Sequence, residues 1–288
     1  GYVLIGNLDK SPINASLGKM ATSFALTDTV NPFSASTSWH AFGGLAYGAL
    51  VGYSANGLNV SAELVQGGAQ FRANHSPVNG TNIPSKANNY VLDANYTFNI
   101  GNAADSLMIG ASYERGSAYC QGYPVVHFTG CQETNPAWAA YGKLNYANFT
   151  LMGEFIKTTK EWPGTFNPTA PLNHFAASKV TRFTIGGKYA TELANKDLDL
   201  SLEFSRFIAG PAGSPWEKQD QWVLGLAYFF TDTVKFFAEG VVTNGYAPLN
   251  FISGGSIRDD FGNVLNSQTH SDADANSKGV IVGINAAF

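Results

Sequence analysis

Apolar and polar residues alternate with a period of two along most of the chain. In NNYVLDANYTFNI, Tyr90, Leu92, Ala94, Tyr96, Phe98 and Ile100 share one face, while Asp93, Asn95, Thr97 and Asn99 share the other. The next apolar stretch sets Leu107, Ile109, Ala111 and Tyr113 against Gly110, Ser112 and Glu114, which predicts a hairpin with one apolar side. The pattern recurs in WAAYGKLNYANFTLMGEFIK, where Trp138, Ala140, Gly142 and Leu144, then Phe149, Leu151, Gly153 and Phe155, fall on the apolar side. It recurs again with Phe183, Ile185 and Tyr189, with Leu198, Leu200, Leu202 and Phe204, and with Trp222, Leu224, Leu226 and Tyr228. The last strand ends the chain, with Val280, Val282, Ile284 and Ala286 opposite Gly279, Gly283 and Asn285. No run carries helical periodicity. The count is roughly 13 strands of about 8–12 residues, the length a tilted strand needs to cross a bilayer core.

Short turns near 8–11, 54–57, 101–106, 146–148, 191–197 and 231–233 alternate with long loops near 25–42, 68–88, 119–136, 159–177, 207–218 and 243–278. In an outer-membrane barrel the short turns face the periplasm and the long loops face outward. Trp138 and Trp222 open strands after long loops, and Tyr146, Phe149, Tyr228 and Phe230 flank short turns, as interfacial aromatic girdles would. A final strand ending in the periplasm places Gly1 at the outer surface. An even-stranded barrel then calls for an odd number of strands before it, and three would make 16 (one would make 14). The expectation is therefore an all-β transmembrane antiparallel barrel, with residues 1–288 as one barrel domain lacking an upstream segment.

Composition narrows the choice. Charged residues are 13% of the chain, about half the ~25% of a soluble domain. No stretch approaches the roughly 18 apolar residues of a membrane helix. A soluble β-sandwich or propeller would also alternate, but its outward face would be polar and its charge content higher. A net charge of −4, with Lys and Arg scattered and no basic patch, gives no reason to expect nucleic acid as a partner. Gly1 is not an initiator Met, consistent with a removed leader. Cys120 and Cys131 bracket CQGYPVVHFTGC, a loop that a disulfide could close in an oxidising compartment. Phe288 resembles the terminal aromatic by which barrel assembly machinery recognises a last strand. Outer-membrane lipid, lipopolysaccharide and a small-molecule ligand are the other expected partners.

The opening residues carry a resemblance. The block Gly6-Asn7-Leu8-Asp9-Lys10-Ser11-Pro12, with the following Ala15 and Gly18-Lys19, resembles the LbtU-family siderophore porins, outer-membrane barrels linked to iron acquisition. The likeness is best over the first 50 residues and loose over the barrel. That family carries a periplasmic segment, often coiled coil, ahead of its barrel. The resemblance implies passage of iron, as a ferric siderophore or the ferrous ion, carried as cargo rather than held as a cofactor.

The polar strand faces offer Glu63, Asp93, Glu114, Lys143, Glu154, Arg182, Lys188, Glu203, Lys235 and Glu239. Such charges either set selectivity in a wetted channel or fill the lumen with cross-strand salt bridges. Lys143, Arg182 and Lys188 are the candidate anion-attracting strip, and Glu154, Glu203 and Glu239 the acidic selectivity residues. His40, His75, His127, His174 and His270 each fall in a different long loop. Loops folded over a barrel mouth could gather them into a metal site, although histidine also collects in loops because lipid-facing positions exclude it. Asp272, Asp274 and Asn276 alternate as in a Ca²⁺ loop but lack its glycine and closing glutamate. No spacing selects a nucleophile, so an enzyme is not expected. The sequence predicts a bacterial outer-membrane channel or receptor for iron uptake. A general diffusion porin and an adhesin or envelope scaffold are the alternatives.

Overall fold

The computed structural model describes residues 1–43, 45–67, 86–102, 104–117, 134–245 and 275–287. Among the described residues thirteen strands form one antiparallel meander in which each strand pairs with its sequence neighbours. They are β1 (Tyr2–Gly6), β2 (Ile13–Ala21), β3 (Leu45–Ala55), β4 (Leu58–Gly67), β5 (Lys86–Asn99), β6 (Ser106–Glu114), β7 (Ala137–Tyr146), β8 (Phe149–Thr158), β9 (Thr181–Leu193), β10 (Lys196–Ile208), β11 (Lys218–Thr231), β12 (Val234–Gly245) and β13 (Ala275–Ala286). The expected all-β antiparallel barrel architecture is the one observed, with β1 and β13 at the two ends of the sheet. No helix among the described residues is long and apolar enough to cross a membrane.

The outward face is the apolar one. Val280 and Ile284 are 79% and 70% exposed, and Leu17, Leu64, Leu151, Ile185, Leu202 and Leu224 stand out from the wall in the same way. Large aliphatic side chains facing out from every part of a sheet suit a lipid solvent and no other. Aromatic pairs mark both rims: Trp138 on Phe155 and Trp222 on Phe204 toward the long loops, Phe149 on Tyr189 and Tyr228 on Phe230 toward the short turns.

Tight hairpins fix the register. At the β3–β4 turn Asn56 and Gly57 have φ of 52° and 83°, and at the β9–β10 turn Ala194 and Asn195 have 53° and 59°. Two consecutive left-handed residues make the hairpin turn whose twist matches that of its strands. At the β1–β2 turn, Asn7 accepts the N–H groups of Lys10 and Ser11 on its carbonyl and that of Asp9 on its side chain. The block behind the siderophore-porin resemblance therefore builds a turn.

The sequence placed the β2–β3 connection outside. It goes inward instead. Residues 22–43 cross the lumen, and Phe24, Ala41 and Phe42 are fully buried among wall and loop residues including Val65, Val91, Ile156 and Phe207. A short helix, α1 (Thr37–Ala41), begins the return to the wall and contacts β9 and β10. Trp162 and Trp216, from the β8–β9 and β10–β11 connections, complete this apolar core at the long-loop end of the lumen. The Trp216 indole N–H donates to Thr165 O at 2.8 Å, tying those connections together.

Candidate functional site: the lumen and its inward segment

The inward segment meets the wall through carboxylates. Strands β4, β6, β8, β10 and β12 each carry a buried inward glutamate: Glu63, Glu114, Glu154, Glu203 and Glu239. Four of them accept bonds from the segment in sequence order. Glu63 takes the Ser23 N–H at 2.8 Å, Glu154 the Leu26 and Thr27 N–H groups at 2.7 and 2.8 Å, Glu203 the Thr29 hydroxyl at 2.8 Å, and Glu239 the Phe33 and Ser34 N–H groups at 2.7 and 2.9 Å. Glu114 has no hydrogen-bond partner among the described residues. Between these anchors Ala25 N–H donates to Ser112 Oγ on β6 at 2.9 Å. Ala25 and Leu26 are neighbours, yet they reach strands β6 and β8, roughly 10 Å apart along a flat sheet. Wall side chains converge on the segment as they do inside a curved sheet.

Local conformation explains the strongest anchor. Ala25 and Thr27 have positive φ, 62° and 45°. Left-handed residues in such a stretch turn successive N–H groups toward one point, a concavity that holds an anion. Glu154 supplies that anion. Its other oxygen accepts from Ser38 and from Arg182, whose guanidinium also donates to Thr37 and Thr184. One glutamate and one arginine thus clamp both the outgoing and the returning limb of the segment.

Two glycines on the wall admit the segment's backbone. A methyl group added at Gly186 would lie 2.8 Å from Val30 Cγ2, and one added at Gly225 would lie 2.6 Å from Pro32 Cδ. Further along, the Phe33 ring stacks on Phe237 at 4.9 Å between centroids.

The charged residues read from the sequence divide into two layers. Glu63, Glu154, Arg182, Glu203 and Glu239 are buried at the level of the segment and bound to it or to one another. Lys143, Lys188 and Lys235 lie nearer the short turns around a cavity of about 320 Å³. Lys143 pairs with Asp28 and Lys188 with Asp199, each at 2.9 Å. Arg182 is therefore separated from the two lysines with which the sequence grouped it: it is fully buried and neutralised by Glu154, and it holds the segment rather than lining open water. Asp93 accepts from Tyr141, whose ring lies across Gly110.

Of the five histidines, His174 is exposed, with Nδ1 2.6 Å from Pro171 O and its ring against Phe175. His40 lies in α1, on the inward segment rather than in an external loop. His75, His127 and His270, the Cys120–Cys131 pair, Asp272 and Asp274 fall outside the described residues. No group of three metal-binding side chains occurs among the described residues. What sequence reading missed is the set of segment hydroxyls that donate to these glutamates, Ser23, Thr29, Ser34 and Ser38, with Thr37 accepting from Arg182 beside them. A signal for them was present: an inward glutamate on every second strand from β4 to β12 needs a row of partners that the wall does not offer.

A family profile described as Gram-negative porin matches residues 3–245. Among solved structures the chain is similar to OprB of Pseudomonas putida (TM-score 0.60, 8% identity, covering 100% of this chain and 72% of that one). It is similar to an anion-selective porin from Comamonas acidovorans (TM-score 0.57, 12% identity, 96% and 74% covered) and to the outer-membrane OmpT of Vibrio cholerae (TM-score 0.55, 14% identity, 95% and 76% covered). At these identities the likeness is one of fold. No curated protein matches the chain.

Proposed function

The chain belongs to the Gram-negative porin family, and on that premise we propose that it is a passive outer-membrane channel for small hydrophilic solutes, gauged by its inward segment. The observation that carries this reading is the anchoring of residues 23–34 across the lumen by glutamates of β4, β8, β10 and β12. A segment fixed at four points narrows a pore permanently, with no need for an energised opening step. The short turns would face the periplasm and the long loops the exterior, and the channel would perform no covalent chemistry. Reconstitution into planar bilayers tests this. The expected result is stepwise ohmic current, with small sugars permeating proteoliposomes and larger ones excluded. Absence of current from correctly folded protein would overturn the channel reading and favour an envelope scaffold.

The cargo has a narrower reading: iron, as a ferric siderophore or the ferrous ion. Its support is the resemblance of the first 50 residues, whose matching block forms the Asn7-centred turn away from the lumen charges. Saturable block of the current by a ferric siderophore, absent with the iron-free form, would support it. Equal permeation of unrelated sugars without such block would leave general diffusion.

A further inference from the structure

The space under the inward segment has the chemistry of a binding site. Its roof is Thr29, Val30, Asn31 and Pro32, and its walls come from β7 to β12. Register aligns part of this wall: Asn145 on β7, Thr150 on β8, Lys188 on β9 and Ser201 on β10 are successive cross-strand partners, and the row ends at Gly225 on β11. With no side chain at Gly225, the roof residue Pro32 descends onto the row and closes it from above. The volume of this partly open space, about 320 Å³, is at the lower end of the ~300–1,000 Å³ typical of small-molecule pockets.

Unsatisfied polar groups distinguish this cavity from a simple gap in the packing. Ser201 Oγ and both Nδ2 and Oδ1 of Asn31 are buried, line the cavity and have no hydrogen-bond partner among the described residues. Buried polar groups in a folded protein nearly always have partners, so unpartnered groups around one space point to something that occupies it. Three ammonium groups, Lys143, Lys188 and Lys235, line the same space with the carboxylate of Asp199, and the Asp28 carboxylate reaches Lys143 from the inward segment. Those carboxylates engage Lys143 and Lys188. Lys235 has no carboxylate partner among the described residues, and its ammonium lies 5.9 Å from the Phe229 ring. A group that answers Lys235, Ser201 and Asn31 Nδ2 together accepts several hydrogen bonds and carries negative charge, and an O–H on it, as in a hydrogen phosphate, would meet Asn31 Oδ1.

We propose that this cavity is a binding subsite for a small oxyanion, a phosphate or a short carboxylate, held by Lys235 and Lys188 with Ser201 and Asn31 as neutral donors. The site rests on the channel reading and refines it: anions pausing below the segment would be drawn through by the lysine layer. Because it lies nearer the short turns than the clamp does, it is approached from the short-turn side without passing the constriction.

Inorganic phosphate tests the proposal on the full chain refolded into a planar bilayer, with chloride carrying the current. Phosphate is expected to reduce that current saturably, and at lower concentration when added from the short-turn side. Lys235→Gln should raise the half-blocking concentration about tenfold, the size of effect seen when one charged hydrogen-bond partner is lost, and Lys235→Arg should preserve block. Succinate blocking with the same Lys235 dependence supports the site and identifies carboxylates as ligands. Unchanged chloride current at all phosphate and succinate concentrations, or identical block in Lys235→Gln, overturns the oxyanion site and leaves the channel reading intact. Loss of all chloride current overturns the channel reading instead. Calorimetric titration of phosphate into the detergent-solubilised protein then judges the site independently of conduction, and no heat of binding overturns it.

Discussion

The backbone N–H of Phe33 donates to Glu239 Oε1 across 2.7 Å, although 206 positions separate the two residues. That bond is the last of a series, in which glutamates on β4, β8, β10 and β12 each receive the next part of a single crossing segment. A chain passing through a lumen has no neighbouring strand to satisfy its N–H groups. An unmet buried donor costs about 1–3 kcal/mol, while a hydrogen bond to a charged group returns about 1.5–3 kcal/mol. Glutamates spaced around the wall therefore do for this segment what a sheet ladder does for a strand.

The first expectation concerns the clamp. Glu154→Ala removes the acceptor of Leu26 and Thr27 and leaves the Arg182 guanidinium buried without its counter-charge. Breaking one side of a buried ion pair costs about 3–5 kcal/mol. The variant should unfold at clearly lower urea concentration and, when folded, show a larger and noisier single-channel conductance. Glu239→Gln, which can still accept bonds at one oxygen, should show the same change in smaller measure.

Gly225 predicts the opposite sign. A side chain there meets Pro32 and Ser201 Oγ, at 2.6 and 2.4 Å already for its first carbon. Gly225→Val should push the segment off the wall toward the pore axis while its glutamate anchors hold. Conductance should fall where that of Glu154→Ala rises, and far-ultraviolet circular dichroism should stay that of the wild type. A rise would mean that the segment had come free.

Why the wall was legible and the clamp was not follows from what periodicity records. Alternation at Val280, Val282 and Ile284 reports the medium on either side of a strand, and that medium is what decides which residues face it. The outward faces, the aromatic rims and the strand count were therefore open to reading. Residues 22–43 hold no such record, because threonines, serines and single aromatics suit an external loop as well as a wet lumen. Arg182 illustrates the second limit. Its place on the polar face was readable, but its burial against Glu154 depends on Thr37 and Ser38 arriving from a segment whose direction the pattern does not encode. The turn-proximal lysines needed no such partner to be placed, and they were identified as inward from alternation alone.

A local prediction tests the hairpin geometry. Ala194 sits at φ 53°, where a Cβ is disfavoured by about 1–2 kcal/mol and glycine is not. Ala194→Gly should stabilise the β9–β10 turn by up to about 1 kcal/mol, part of the relief being offset by the greater freedom of glycine in the unfolded chain. Equilibrium urea unfolding should show a higher midpoint with unchanged slope. Gly57→Ala, at φ 83° and with Thr97 O 2.4 Å from the added carbon, should move the midpoint the other way.

The lipid face can be tested by depth. Leu224, 63% exposed in the middle of β11, and Phe230, 47% exposed at its short-turn end, both point outward from one strand. Depth is then almost the only variable between them. An arginine on the lipid face costs about 2–4 kcal/mol at the bilayer midplane and about 0–1 kcal/mol near an interface. Leu224→Arg should therefore lower the stability of the protein folded into lipid vesicles by several times more than Phe230→Arg. Neither substitution touches the lumen, so single-channel conductance should be unchanged in both. In a water-soluble sheet the two would cost alike, since an exposed arginine there is hydrated at either position, and equal small losses would remove the membrane assignment of this face.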